Sequence, residues 1–205
     1  MAVGTIVALG SAPTLAGFFE WILDRRRPPA RWAAATALAC AGVALLALAG
    51  GDADVSIPGV ALAVTAGGAY AAYTLAAKRL MRDGHAPESV MAVAFGLGAI
   101  VLLPALLASG PGWLIQPGGL ALALFLGTIP TAVAYVLFAN GLRRLSASET
   151  ATLTLAEPLT AGVLGAVVLA EPLSGTAIAG AGLVLAGLLL LALPLPPPRV
   201  APAAA

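Results

Sequence analysis

Glu157 stands inside a long apolar stretch, and a carboxyl placed there invites chemistry. An ionised acidic residue at the centre of a membrane span costs about 2.5–3.5 kcal/mol on insertion scales. Such a group faces a wet cavity, finds a partner, or carries a proton. Thr150, Thr154 and Glu157 are spaced i, i+4, i+7, which puts them on one face of a helix. Pro158 follows directly; its missing N–H frees a backbone carbonyl and predicts a kink at the same depth. Two readings of Glu157 stay open: a site that binds substrate or a proton, or a protonated side chain bonded to a neighbouring helix.

A second stripe, Thr128, Thr131, Tyr135 and Phe138, has the same helical spacing, and Pro130 within it predicts another kink. Its hydroxyl and aromatic groups either line a cavity for a small organic molecule or stitch helices together. Set opposite Glu157, Thr131 and Tyr135 would share one inner cavity with Thr150 and Thr154. Tyr70 and Tyr73, three apart, either line a pathway or sit in the aromatic belt at the membrane surface. No phosphate-binding loop is present, so no ATPase is expected. The single histidine, His85, lies in a charged connection, which leaves neither a metal site nor a serine–histidine–acid arrangement. Cys40 is the one cysteine; it excludes an internal disulfide and reads as a small packing residue. No cofactor, no enzymatic activity and no nucleic-acid partner are expected.

The elements that must hold these residues follow from composition. Of 205 residues, 60% are hydrophobic and 9% charged, against about 45–50% and about 25% in soluble domains. Only a bilayer accepts that excess. A span needs about 20 apolar residues, and seven candidate helices are predicted at 2–23, 32–49, 57–77, 89–108, 119–141, 148–169 and 176–193. The fold class is therefore all-α, a polytopic membrane helix bundle. Gly67, Gly68, Gly96, Gly98, Gly162, Gly180, Gly182 and Gly187 suit close helix approach. The first stretch has no basic residue ahead of it and is too long for a secretory signal, so it is expected to be a retained helix. Residues 194–205, rich in Pro and Ala, predict an extended tail.

All ten Lys and Arg fall in alternate connections or the tail. Arg25, Arg26, Arg27 and Arg31 follow the first helix, Lys78, Arg79 and Arg82 the third, and Arg143 and Arg144 the fifth; Arg199 is in the tail. The intervening connections hold only Asp52, Asp54 and Glu171. Positive loops stay cytoplasmic, which predicts a cytoplasmic C-terminus and an external Met1.

Sliding the chain by 145 residues aligns the first two helices with the last two without gaps. Pro13 falls on Pro158, Gly17 on Gly162 and Gly42 on Gly187. The first copy's connection is basic and the second's is not, so the copies cross in opposite directions. Inverted repeats are a mark of secondary transporters. Five helices, 57–193, make one full unit, and two, within 1–50, precede it.

Tyr135, Gly141-Leu142-Arg143-Arg144, Glu157-Pro158, Glu171 and Gly187 together resemble the EamA family of the drug/metabolite transporter superfamily, over residues 1–193. The resemblance implies ten helices in two inverted five-helix repeats with both ends cytoplasmic. Residues 1–50 would be the last two helices of the first repeat and 57–193 the complete second. It further implies secondary transport of small metabolites, amino-acid-like or nucleoside-like, by alternating access. At the first repeat's positions matching Glu157 and Glu171 stand Ala12 and Arg26. Two expectations follow from the absence of three helices: a permease or exporter completed by those helices or by a homodimer, or an N-terminally truncated, inactive or structural membrane fragment. The expected partners are a small-molecule substrate and the lipid bilayer, in a bacterial plasma membrane.

Overall fold

A computed structural model describes residues 2–49, 56–170 and 174–193. Among them there are helices and turns but no strand: α1 (Ala2–Asp24), α2 (Ala30–Leu48), α3 (Ile57–Arg82), α4 (Pro87–Ala108), α5 (Pro117–Gly127), α6 (Ala134–Arg144), α7 (Ala147–Leu153), α8 (Ala156–Val168) and α9 (Gly175–Ala192). A π-helical turn, Thr128–Val133, joins α5 to α6 in one crossing, and a two-residue break joins α7 to α8 in another. Seven crossings result, six of them long and apolar enough to span a membrane by length and composition. Glu171, the connection 50–55 and the tail lie outside the described residues.

Polar caps set the helix starts. Ser56 accepts the Gly59 N–H at 3.2 Å, Ser174 accepts the Ala177 N–H at 3.2 Å, and Ser146 forms a reciprocal capping box with Glu149. The predicted end of the third helix at 77 is too early. Lys78, Arg79 and Arg82 read as a loop by charge, yet all three remain helical because each finds an anion or a carbonyl. Arg79 binds Asp24 Oδ1 at 2.6 Å and Arg82 binds Oδ2 at 3.1 Å. Lys78 Nζ donates to the carbonyls of Leu142 and Arg143, closing the end of α6. Arg31 does the same for α9, donating to the carbonyls of Leu190 and Leu191. These contacts place the basic connections 24–31, 78–88 and 142–147 at one end of the bundle.

Packing uses small residues, as expected between membrane helices. Ala16, Ala35, Ala39, Ala71, Ala139 and Ala151 are fully buried, whereas Ile100, Val101 and Leu107 of α4 point outward at more than half exposure. α1 and α3 run parallel: Ala8 and Ala12 meet Gly67 near one end, and Asp24 meets Arg79 near the other. α2 and α9 run antiparallel in backbone contact. A Cβ on Gly42 would lie 2.6 Å from Gly180 O and 2.6 Å from Val184 N; one on Gly187 would lie 2.6 Å from Ala35 O and 2.9 Å from Ala39 N. Under the 145-residue shift Gly42, Ala35 and Ala39 become Gly187, Gly180 and Val184, so the interface maps onto itself. That is the signature of a two-fold relation between oppositely oriented copies.

Among the described residues the most buried carboxylate is Glu20, near the end of α1, and not Glu157. Glu20 accepts the N–H groups of Ala147 and Ser148 at 3.2 Å each, satisfying the first turn of α7. Beside it, Trp32 Nε1 donates to Thr152 Oγ1 at 3.0 Å, and the Thr36 hydroxyl lies 2.8 Å from the same oxygen. Thr152 in turn donates to Ser148 O. α7 is thereby held at its start by α1 and near its end by α2.

Candidate functional site

Pro158 disturbs its crossing one turn before itself. The carbonyl its missing N–H would have served belongs to Thr154, and that carbonyl accepts the Glu157 N–H at 3.0 Å instead. The helix breaks at Thr154–Leu155, and Glu157 enters the first turn of α8. Pro130 acts differently. The carbonyl it leaves is that of Leu126, and the Thr131 hydroxyl takes it at 2.7 Å, within the π-helical turn. Such turns recur where a crossing is locally rewound.

Between the α7–α8 break and helices α1, α3 and α6 lies a cavity of about 480 Å³. Glu157 and Thr154 form one wall, Tyr135 and Phe138 of α6 a second, and Tyr70 and Gly67 of α3 a third. α1 contributes Leu9 together with Ala8 and Ala12, whose small side chains leave space open. Glu157 is exposed to this cavity rather than packed between helices. Ala12, the position that matches Glu157 under the 145-residue shift, faces the same space without a charge.

The aromatic side chains form a connected group. Tyr135 and Phe138 ring centroids are 5.6 Å apart, Tyr70 and Phe138 6.4 Å, and Tyr70 and Tyr73 6.2 Å. Phe95 of α4 meets Tyr135 edge-on at 4.5 Å. Tyr70 and Tyr135 also wall a neighbouring apolar cavity of about 470 Å³, completed by Tyr73, Phe95, Gly98 and Leu102. The Tyr73 hydroxyl is engaged by Met91 Sδ at 2.9 Å.

The sequence-predicted residues thus divide. Glu157, Thr154 and Tyr135 come together in one cavity. Thr150 does not join them: it is buried and donates to Ser146 O at 2.8 Å, because the break rotates α7 out of register with α8. Thr131 is likewise away from the cavity lining, its hydroxyl committed to the backbone, as is that of Thr128 on Leu124 O. Tyr70 is the lining residue the sequence left undecided. Its run Ala66-Gly67-Gly68-Ala69-Tyr70, small residues ending in an aromatic, carries the only signal of an opening there. Among the described residues no three His, Cys, Asp or Glu come together as metal ligands.

Comparison with known proteins gives the same direction. Residues 57–193 match the EamA-like transporter family. An uncharacterized transporter, YwfM, of Bacillus subtilis is 42% identical over 191 residues, covering 93% of this chain and 64% of the relative. The threonine/homoserine exporter RhtA of Salmonella typhimurium is 36% identical over 128 residues, covering 60% of this chain and 41% of the relative. One solved crystal structure superposes with a TM-score of 0.74 at 23% identity, over 93% of this chain and 68% of that one, and so shares the fold. The chain spans less than two thirds of either relative's length. With residues 57–193 of 205 matched and most of its crossings long and apolar, this chain is an integral membrane protein that belongs to the EamA-like transporter family.

Proposed function

We propose that the cavity binds a small metabolite bearing an ammonium group, amino-acid-like in character, and passes it across the membrane by alternating access. The observation that carries this reading is a lone carboxylate, Glu157, lining the same cavity as the rings of Tyr70, Tyr135 and Phe138. A carboxylate supplies the counter-charge, and aromatic faces add cation–π attraction worth about 0.5–2 kcal/mol. Thr154, one turn away, offers a hydroxyl oxygen, although its proton goes to Ala151 O. An intramembrane acid that faces a cavity is the ordinary mark of a substrate or proton pathway. The name of the Salmonella relative, an amino-acid exporter, agrees with the chemistry.

In this reading residues 57–193 act as one five-helix unit opposed to the unit that contains α1 and α2, with the C-terminus cytoplasmic in a bacterial plasma membrane. Completion of the first unit, by three further helices or by a second copy, belongs to the same proposal. Glu157→Gln, nearly isosteric, tests it. Binding of radiolabelled small amines and amino acids to the purified protein, and their counterflow in proteoliposomes, should fall at least tenfold while expression is unchanged. Glu157→Asp should retain part of the binding. Equal binding by Glu157→Gln and the unsubstituted chain would sink the assignment.

A further inference from the structure

The outer side of the α1–α2 pair carries a crevice unconnected with the cavity above. Its upper part, about 490 Å³, is lined by Thr14, Phe18, Trp21, Arg27 and Trp32. Its lower part, about 330 Å³, shares Thr14 and Trp32 and continues to Gly10 and Cys40. Gly17 makes the crevice possible: the Trp32 ring lies where a Cβ would be, so α2's indole packs directly against the α1 backbone. The Trp32 N–H is already engaged by Thr152, which fixes the ring.

Three observations identify an occupant. First, the crevice is cationic at one end only. Arg27 sits over the Trp21 ring at 5.6 Å, beside Arg25 and Arg26, at the basic end of the bundle. Second, Gly10 to Trp21 spans about 16 Å of helix at 1.5 Å per residue, and half of a 30 Å hydrocarbon core is about 15 Å. The crevice is therefore one leaflet deep. Third, the second copy leaves the position that matches Phe18 bare, while the equivalents of Gly10 and Thr14, Leu155 and Leu159, pack inward. Phe18 is 47% exposed, and Val163, its equivalent under the 145-residue shift, is 50% exposed although α3 to α6 are all present.

We infer that this crevice is a binding site for an anionic phospholipid of the leaflet at the basic end. The acyl chain lies along Gly10, Thr14 and Phe18, and the phosphate meets Arg27 at the level of Trp21. A guanidinium matches phosphate geometry, and tryptophans sit at the headgroup boundary. This site does not depend on the transport reading.

Quenching of tryptophan emission by lipids with brominated acyl chains tests it in the full chain, with Trp113→Phe removing the indole at the other end. Brominated phosphatidylglycerol should reach half-quenching at about fivefold lower mole fraction than brominated phosphatidylcholine, the gain expected for one basic residue near an anionic surface. Arg27→Gln, at an exposed position, should abolish that preference. Arg144→Gln, equally exposed at the same end, should preserve it. Equal quenching by the two lipids, a preference that survives Arg27→Gln, or one lost equally in Arg144→Gln would overturn the site.

Discussion

Gly42 and Gly187 are reciprocal: each brings α2 and α9 into backbone contact, and each touches the repeat equivalents of the residues the other touches. The obstacle to a side chain at either position is backbone, which cannot swing aside as a side-chain tip can. Overpacking a core costs about 1–3 kcal/mol and occasionally more. Gly42→Leu and Gly187→Leu should each lower stability by at least the upper end of that range, and by similar amounts. Thermal unfolding in detergent measures both. A large loss in one and none in the other would break the reciprocity.

Tyr135 walls both cavities and packs edge-on or tilted against Phe95 and Phe138. Tyr135→Phe keeps the ring and should change ammonium-ligand affinity by less than about twofold. Tyr135→Leu removes the ring face, and a cation–π contribution of about 0.5–2 kcal/mol corresponds to a loss of roughly 2- to 30-fold. Titration calorimetry with an amine and its neutral isostere separates the effect from packing. The neutral isostere should be weakened less.

Glu20 holds the start of α7 through two backbone N–H groups. Glu20→Ala would leave both donors buried and unpaired, at a cost of about 2–3 kcal/mol. Glu20→Gln keeps one acceptor oxygen and should lose less. Denaturant unfolding gives the ranking, and ligand affinity should follow stability rather than charge.

The orientation is open to a direct test. In a Cys40→Ala background, an impermeant thiol reagent added to intact cells should label Ser109→Cys and spare Ala86→Cys. Both positions are exposed, at opposite ends of α4. The reverse pattern would put the basic end outside.

How much of this was legible in the sequence depends on whether a residue speaks for itself or through neighbours. Charge segregation spoke for itself: Asp24, Arg79, Lys78 and Arg31 lie at one end of the bundle, as the alternation of loops required. The prolines announced that two crossings are irregular, but the form of each irregularity depended on what could serve the freed carbonyl. At Leu126 a hydroxyl was in reach, and a π-helical turn resulted; at Thr154 an N–H was, and the helix broke. Thr150 and Thr131 were misplaced for that reason, since regular helical spacing no longer holds across either site. Glu20 was invisible because its position near the end of a span suggests exposure, and only the start of α7, far along the chain, makes burial tolerable.

The two-piece construction of the α7–α8 crossing divides its polar groups between an anchored and an unanchored part. α7 is moored by Glu20, Trp32 and Thr36, whereas α8 begins beyond the break and, among the described residues, has no such ties at its start. A tilt of this crossing would be borne by α8 pivoting on Leu155, which is fully buried and supplies a fulcrum. Thr154 would stay with the stationary side while the Glu157 carboxylate travels, so each swing opens or narrows the gap between hydroxyl and acid. On the proposed transport reading, such a lever would couple the grip on a cargo to the side from which the cavity is reached, with no distant signal required.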